Sequence, residues 1–274
     1  MSAPRFWTGV VLAIGLAACG AEPNVLSYEE FKARAYQEPD TGMYVFNGDE
    51  LVETVEAMQA LYDAYLDSVV AAADREAGLG RTAQGLIVNR VGGADDKWSA
   101  SQALNLTYCI SSSSFGNRYN TVVAAMSTAV AEWESASGGG VNFVHLAAQD
   151  GSCTNRNNNV VFNVREVKSN QYLARAFFPS TSRKGREILI SSSSFGNISP
   201  WTLTGVLRHE VGHTLGFRHE HTRPESGVCF EDNNWRALTA YDAASVMHYP
   251  QCRGTQTGDL RLTSQDRAGA AALY

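Results

Sequence analysis

Apolar and polar positions along this chain change rhythm several times, and each rhythm predicts an element. Phe6 to Ala18 is an apolar run behind the single cation Arg5. Ser27-x-x-Glu30 then forms a capping box ahead of a short helix. Leu51, Val55, Met58, Tyr62, Tyr65 and Val69 recur at helical spacing, which predicts a long helix ending near Gly78–Gly80. Residues 79–101 are rich in Gly, Asp and Arg and read as a linker or processing region. From Leu104 to Ile110 the alternation is that of a strand, and Asn120 to Trp133 carries one apolar helical stripe. Short strands are expected near 141–146, 160–164, 173–178 and 187–192. Ser199-Pro200 opens another helix, with Ser as N-cap, and Thr263-x-x-Asp266 caps a last one. Ile110–Asn117 is echoed at Ile190–Asn197, two strand ends running into similar polar loops.

Composition narrows the class without naming it. The chain has 274 residues, 44% hydrophobic and 18% charged, which is ordinary for a folded domain and excludes wholesale disorder. A net charge of -6 argues against nucleic acid as a partner, because phosphate binding needs clustered cations. No apolar run reaches the roughly 18 residues of a membrane span.

The first run is instead an export address. It ends in Leu16-Ala17-Ala18-Cys19, which resembles a bacterial lipobox, so residues 1–18 read as a lipoprotein signal and Cys19 as the lipidated residue. Lipid on Cys19 would anchor the protein to a membrane of the cell envelope, the outer membrane foremost; without it the protein would be secreted. Four cysteines remain, and in an exported chain they suggest two disulfides. Of three connectivities, Cys109–Cys153 with Cys229–Cys252 keeps each pair within one half of the later region. A four-cysteine zinc site is the other option, but no C-x-x-C spacing supports it.

Residues 209–221 read H-E-V-G-H-T-L-G-F-R-H-E-H. His209 and His213 are four apart on an expected helix, so both imidazoles leave one face. Gly216 can make the turn that ends the helix and brings His219 back as third ligand. Three protein ligands leave a fourth position for water, the catalytic arrangement of zinc. Glu210 is placed to touch that water.

This spacing resembles the metzincin zinc endopeptidases, and Ser245-Val246-Met247-His248-Tyr249 resembles their methionine turn. Phe217, Glu220, His221 and Arg223 match the astacin pattern most closely, and the run is also similar to bacterial HEIGH-type metallopeptidases, with Val211 for Ile. The resemblance implies an α+β zincin domain over 101–274, with a mixed, mostly parallel five-stranded sheet, an active-site helix and a Met-turn. It implies one Zn²⁺ on His209, His213 and His219. Glu210 would be the general base and then acid, Met247 the floor under the metal, and Tyr249 a fifth ligand that swings away to meet the oxyanion. Glu220 pairs with the new N-terminus in astacins; here it reads equally as a surface carboxylate. His221 and His248 read as structural or rim residues.

Residues 19–100 then become a helical pro-segment and linker. Phe46-Asn47-Gly48-Asp49 looks like the F-x-G-D of astacin pro-segments, which makes Asp49 a candidate switch that caps the zinc; Asp49 also fits as a helix N-cap. Arg81 and Arg90 are candidate processing points. The expected substrate is a polypeptide, lying extended on an edge strand near 172–178. Two alternatives stand beside the protease: a non-catalytic zinc-binding surface lipoprotein, and a zinc amidase acting on cell-wall peptides.

Overall fold

A computed structural model describes residues 25–76, 86–256 and 258–274. The expected signal, Cys19 and Arg81 lie outside the described residues. Seven helices and eleven strands follow in order among them: α1 (Tyr28–Lys32), β1 (Tyr36–Gln37), β2 (Tyr44–Phe46), β3 (Glu50–Val52), α2 (Val55–Glu76), β4 (Ile87–Val91), β5 (Ala94–Asp95), α3 (Ala100–Ala103), β6 (Leu106–Ile110), α4 (Ser112–Phe115), α5 (Tyr119–Ala136), β7 (Phe143–His145), β8 (Phe162–Val167), β9 (Ala174–Arg175), β10 (Glu187–Ser191), α6 (Leu203–Thr214), β11 (Trp235–Ala237) and α7 (Ser264–Leu273).

The central sheet has five strands in the order β7-β6-β8-β10-β9. Three pairings are parallel, and only β9 runs antiparallel, at the edge. One face of the sheet, with Tyr108, Ile110, Phe162, Val164, Ile188 and Ile190, enters the main core against α5 and α6. Trp133 of α5 stacks on Phe217 just beyond α6 at a 5.0 Å centroid distance, joining the two helices at their buried centre. The chain is thus α+β with a mixed, mostly parallel sheet. Disulfides join Cys109 to Cys153 and Cys229 to Cys252. Among the described residues no helix is long and apolar enough to cross a membrane.

The N-terminal part holds more strand than its periodicity predicts. β1, β2 and β3 form a small antiparallel sheet, and Phe31, Phe46, Val52 and Met58 close a separate small core beneath α2. Leu51 and Val52 belong to β3, and α2 begins only at Val55. A three-residue strand running into a helix continues an apolar pattern that sequence alone reads as one helix.

Two further elements differ. The stretch 79–101 reads as linker by composition, yet β4 is pinned between β11 and the chain leaving α6. Ile87 and Val88 are fully buried there, and Asn89 N–H donates to Gly216 O at 2.7 Å. Glycines and charges around a short apolar core hid that strand. Near the active-site helix, Thr202 is the N-cap in place of Ser199: its hydroxyl accepts from Gly205 N–H at 3.0 Å.

Candidate metal centre

α6 carries His209, Glu210 and His213, and every residue from Gly205 to Thr214 is buried. The helix ends in a Schellman turn. Gly216 N–H donates to His213 O at 2.9 Å and Phe217 N–H to Gly212 O at 3.1 Å, with Gly216 at φ +95°. A Cβ at Gly216 would lie 2.1 Å from Asp96 O, so only glycine reverses the chain here. The reversal delivers His219 to the same centre.

Each imidazole is oriented from behind. His209 Nδ1 donates to Val246 O at 2.7 Å, and His213 Nδ1 to Phe217 O at 2.8 Å. A carbonyl only accepts, so in both rings the Nε2 lone pair is left facing the centre. Those two nitrogens stand 3.2 Å apart. His219 Nδ1 contacts Glu231 Oε1 at 2.7 Å and turns its own Nε2 inward. The Val246 carbonyl is itself held in place: Asp266, which caps α7, accepts from Val246 N–H at 2.9 Å and from the Ser245 hydroxyl at 2.6 Å. Met247 lies below, fully buried.

The fourth group is Asp49. It caps no helix; it sits among the histidines, with Oδ2 3.2 Å from His209 Nε2 and Oδ1 3.0 and 3.6 Å from His219 and His213 Nε2. The Tyr249 hydroxyl donates to Asp49 Oδ2 at 2.5 Å. These four side chains can hold one metal ion. A tetrahedral zinc with arms of about 2.0–2.1 Å separates its donors by about 3.3 Å, which is the spacing found. Two further observations fit a cation. Converging lone pairs repel without one, and Asp49 Oδ1 and His219 Nε2 approach closely while neither has an aligned hydrogen-bond partner. They are aimed at a shared point.

The electrostatics agree. Burial pushes His209 down to about 4, keeping it neutral. Burial alone would raise Asp49, yet the facing His219 and His213 hold it well below the usual carboxylate range. Burial alone would lower His219, but Asp49 and Glu231 on either side raise it well above the usual imidazole range. Glu210 behaves oppositely to Asp49. Burial, then the Asp49 charge, push its carboxyl well above normal, and its Oε2 has no partner.

A family model described as Matrixin, of the M10 peptidases, matches residues 97–226, the stretch that contains all three histidines and Glu210. Over residues 97–226 the chain is similar to the metzincin zinc metallopeptidases. Two proteins resemble this chain in part. A bone morphogenetic protein 1 homolog from Strongylocentrotus purpuratus is 41% identical over 16% of this chain and 10% of that protein. Zinc metalloproteinase nas-30 from Caenorhabditis elegans is 36% identical over 16% of this chain and 9% of that protein. The match thus spans about a tenth of the length of either relative. Among solved structures, high choriolytic enzyme 1, a hatching enzyme zinc-protease from Oryzias latipes (medaka), matches with a TM-score of 0.42 at 18% identity, over 68% of this chain and 97% of that one.

The other marked residues fall around the centre. Glu220 is wholly buried: its Oε1 accepts from Asp242 N–H at 3.0 Å, its Oε2 has no partner, and burial pushes it up to about 8. His221 Nε2 lies 3.2 Å from Glu231, and His248 Nε2 accepts from or donates to the Tyr241 hydroxyl at 2.8 Å. Sequence reasoning passed over Glu231, Arg218 and Glu50. Arg218 is buried among Asp232 at 2.6 Å, Glu231 at 2.9 Å and Glu50 at 3.3 Å, behind His219. Buried charges normally come in such groups, but no spacing announces which ones will meet.

Proposed function

We propose that this chain is an exported zinc endopeptidase made as a latent precursor, with Asp49 as the group that blocks its centre. The observation that carries the reading is the convergence of three oriented imidazoles with Asp49 and the Tyr249 hydroxyl on one buried point. A bound zinc supplies Lewis acidity and a water whose pKa falls toward 7. Glu210 stands beside His209 to take a proton from substrate water and pass it to the leaving amine. With Asp49 in place, burial and then the Asp49 charge push the Glu210 carboxyl upward, which weakens it as a base. Removal of Asp49 withdraws that charge and frees the Tyr249 O–H, which then can donate to the developing oxyanion. A cleft of about 230 Å³ beside Glu210 and Tyr249, walled by Tyr172 and Ala174, offers room for the peptide.

Activation would remove the chain before β4, with cleavage in 77–85, where Arg81 falls. Arg90 is a poorer point, since its N–H is bonded to Asn234 O within the β4 pairing. Two disulfides accord with an oxidising compartment. Lipid on Cys19 would keep the enzyme at the envelope. Glu210→Gln should abolish hydrolysis of a peptide substrate while one zinc per chain stays bound, and His213→Ala should lose the zinc. Full activity in Glu210→Gln would overturn the mechanism, and no hydrolysis by the processed wild-type chain with zinc bound would favour a non-catalytic zinc-binding surface lipoprotein.

A further inference from the structure

Glu38, in the turn after β1, reaches across to the edge of the central sheet. Arg175 Nε donates to its Oε1 at 2.9 Å and Nη2 to its Oε2 at 2.8 Å, and the Tyr172 hydroxyl donates to Oε1 at 2.9 Å. All three side chains are buried. The pair is a two-pronged guanidinium–carboxylate fork, the geometry with which arginine selects carboxylates.

Arg175 belongs to β9, and the register sets it beside Leu189 and, one strand further, Arg165, on the face turned away from α5 and α6. The nearest acidic side chain of that face is Glu187. Its carboxylate is already taken by Arg165 at 2.7 and 3.3 Å and by Asn163 at 2.7 Å. Arg175 receives from it only the backbone carbonyl, at 3.1 Å. Without Glu38 this patch holds two guanidiniums against one carboxylate.

The charge of the whole chain is divided the same way. Residues 1–85 carry 13 acidic and 5 basic side chains, and residues 86–274 carry 15 acidic and 17 basic. Besides Glu38, three acidic side chains of the N-terminal part are aimed at the later domain: Asp49 at the histidines, Glu50 at Arg218, and Glu53 at Ser182 N–H at 2.9 Å.

We propose that Arg175 and Tyr172 form a carboxylate-binding subsite for an acidic side chain of the substrate, and that Glu38 holds this place in the precursor. The proposal rests on reading the chain before β4 as a removable pro-segment. Among the described residues β9 pairs with β10 alone, so its other edge has no strand partner, and loss of the buried N-terminal cover would expose it to an extended peptide. A peptide added there sends alternate side chains to the face on which Arg175 lies. Tyr172 also lines the cleft that holds Glu210, so the subsite and the reacting centre share one wall.

The test uses the processed enzyme and a set of peptides identical except for Glu, Gln or Ala at one position at a time. At one position, Glu→Gln should lower kcat/KM about ten- to a hundredfold, mainly through KM, as expected for loss of a charge-assisted bond. Arg175→Gln should erase that discrimination, so that Glu and Gln peptides give the same kcat/KM on the variant. Equal kcat/KM for Glu and Gln peptides at every position overturns the proposal, and so does a preference that survives in folded Arg175→Gln. The wild-type series needs no variant, so it decides the matter even if Arg175→Gln fails to fold. A fully active unprocessed chain would sink the pro-segment reading by itself; the same peptides on that chain carrying Glu38→Gln would still decide the subsite.

Discussion

In one buried pocket the two carboxyls shift in opposite directions, Asp49 down beside the histidines and Glu210 up. Burial opposes charge on both, but Asp49 faces three imidazoles directly, whereas Glu210 has the Asp49 charge against it as well. Removing Asp49 alone should therefore unblock the centre. Asp49→Ala is expected to give an unprocessed precursor that hydrolyses peptides, where the wild-type precursor is silent; equal silence in both would remove Asp49 as the block. Glu220 offers a separate test by pH. Its folded pKa of about 8 lies above the ordinary 4.5, so the folded chain keeps a proton that the unfolded chain releases. The stability tied to that proton is complete below about 4.5 and is lost as pH rises toward 8. Glu220→Gln keeps a neutral side chain at every pH. Its melting temperature should rise relative to wild type between pH 5 and 8, and a constant difference would contradict the shift.

α6 depends on a contact that its sequence only hints at. A Cβ on Gly212 would lie 2.5 Å from the Met247 sulfur and 2.9 Å from the Trp133 ring, and both side chains are fully buried. Alanine in a helix interior gains about 1 kcal/mol over glycine. Overpacking a closed core costs about 1–3 kcal/mol, so the clash should win. Gly212→Ala is expected to lower the melting temperature and weaken zinc binding together, because the side chain it displaces is the floor of the site. A gain in melting temperature would show that Met247 can yield. At this scale the sequence was legible where an element is long or capped: α5, α7 with its Thr263–Asp266 box, and α6 itself. It was also legible at the edge strand β9, expected near 173–178 and found shorter, but not at β3 and β4. Those two strands have three and five residues, and partners distant in sequence, more than local pattern, decide whether such segments pair.

For the whole molecule the metal should act as a fold ligand as well as a chemical one. His209 and His213 come from α6, His219 from the turn after it, and the supporting groups from the Met-turn, the α7 cap and the Cys229–Cys252 region. A cation bound only by the folded chain stabilises it by about 2.7 kcal/mol at a hundredfold excess over Kd. Chelation should lower the melting temperature of Glu210→Gln and added zinc should restore it, with His213→Ala indifferent to both. A melting temperature insensitive to chelator in Glu210→Gln would show that the domain is organised without metal.

The sequence by itself determined the chemistry. His209, Glu210, His213, Gly216 and His219 are neighbours along the chain, and helix and turn geometry are local, so three ligands on one centre follow from spacing alone. Tertiary structure decided what faces that centre. Asp49, Glu38, Glu231 and Tyr249 reach their partners over separations of 12 to 200 residues. Motif resemblance marked Asp49 and Tyr249 in advance, but Glu38 and Glu231 had no such signal, because their meetings depend on how the sheet, its edge strand and the N-terminal segment pack together.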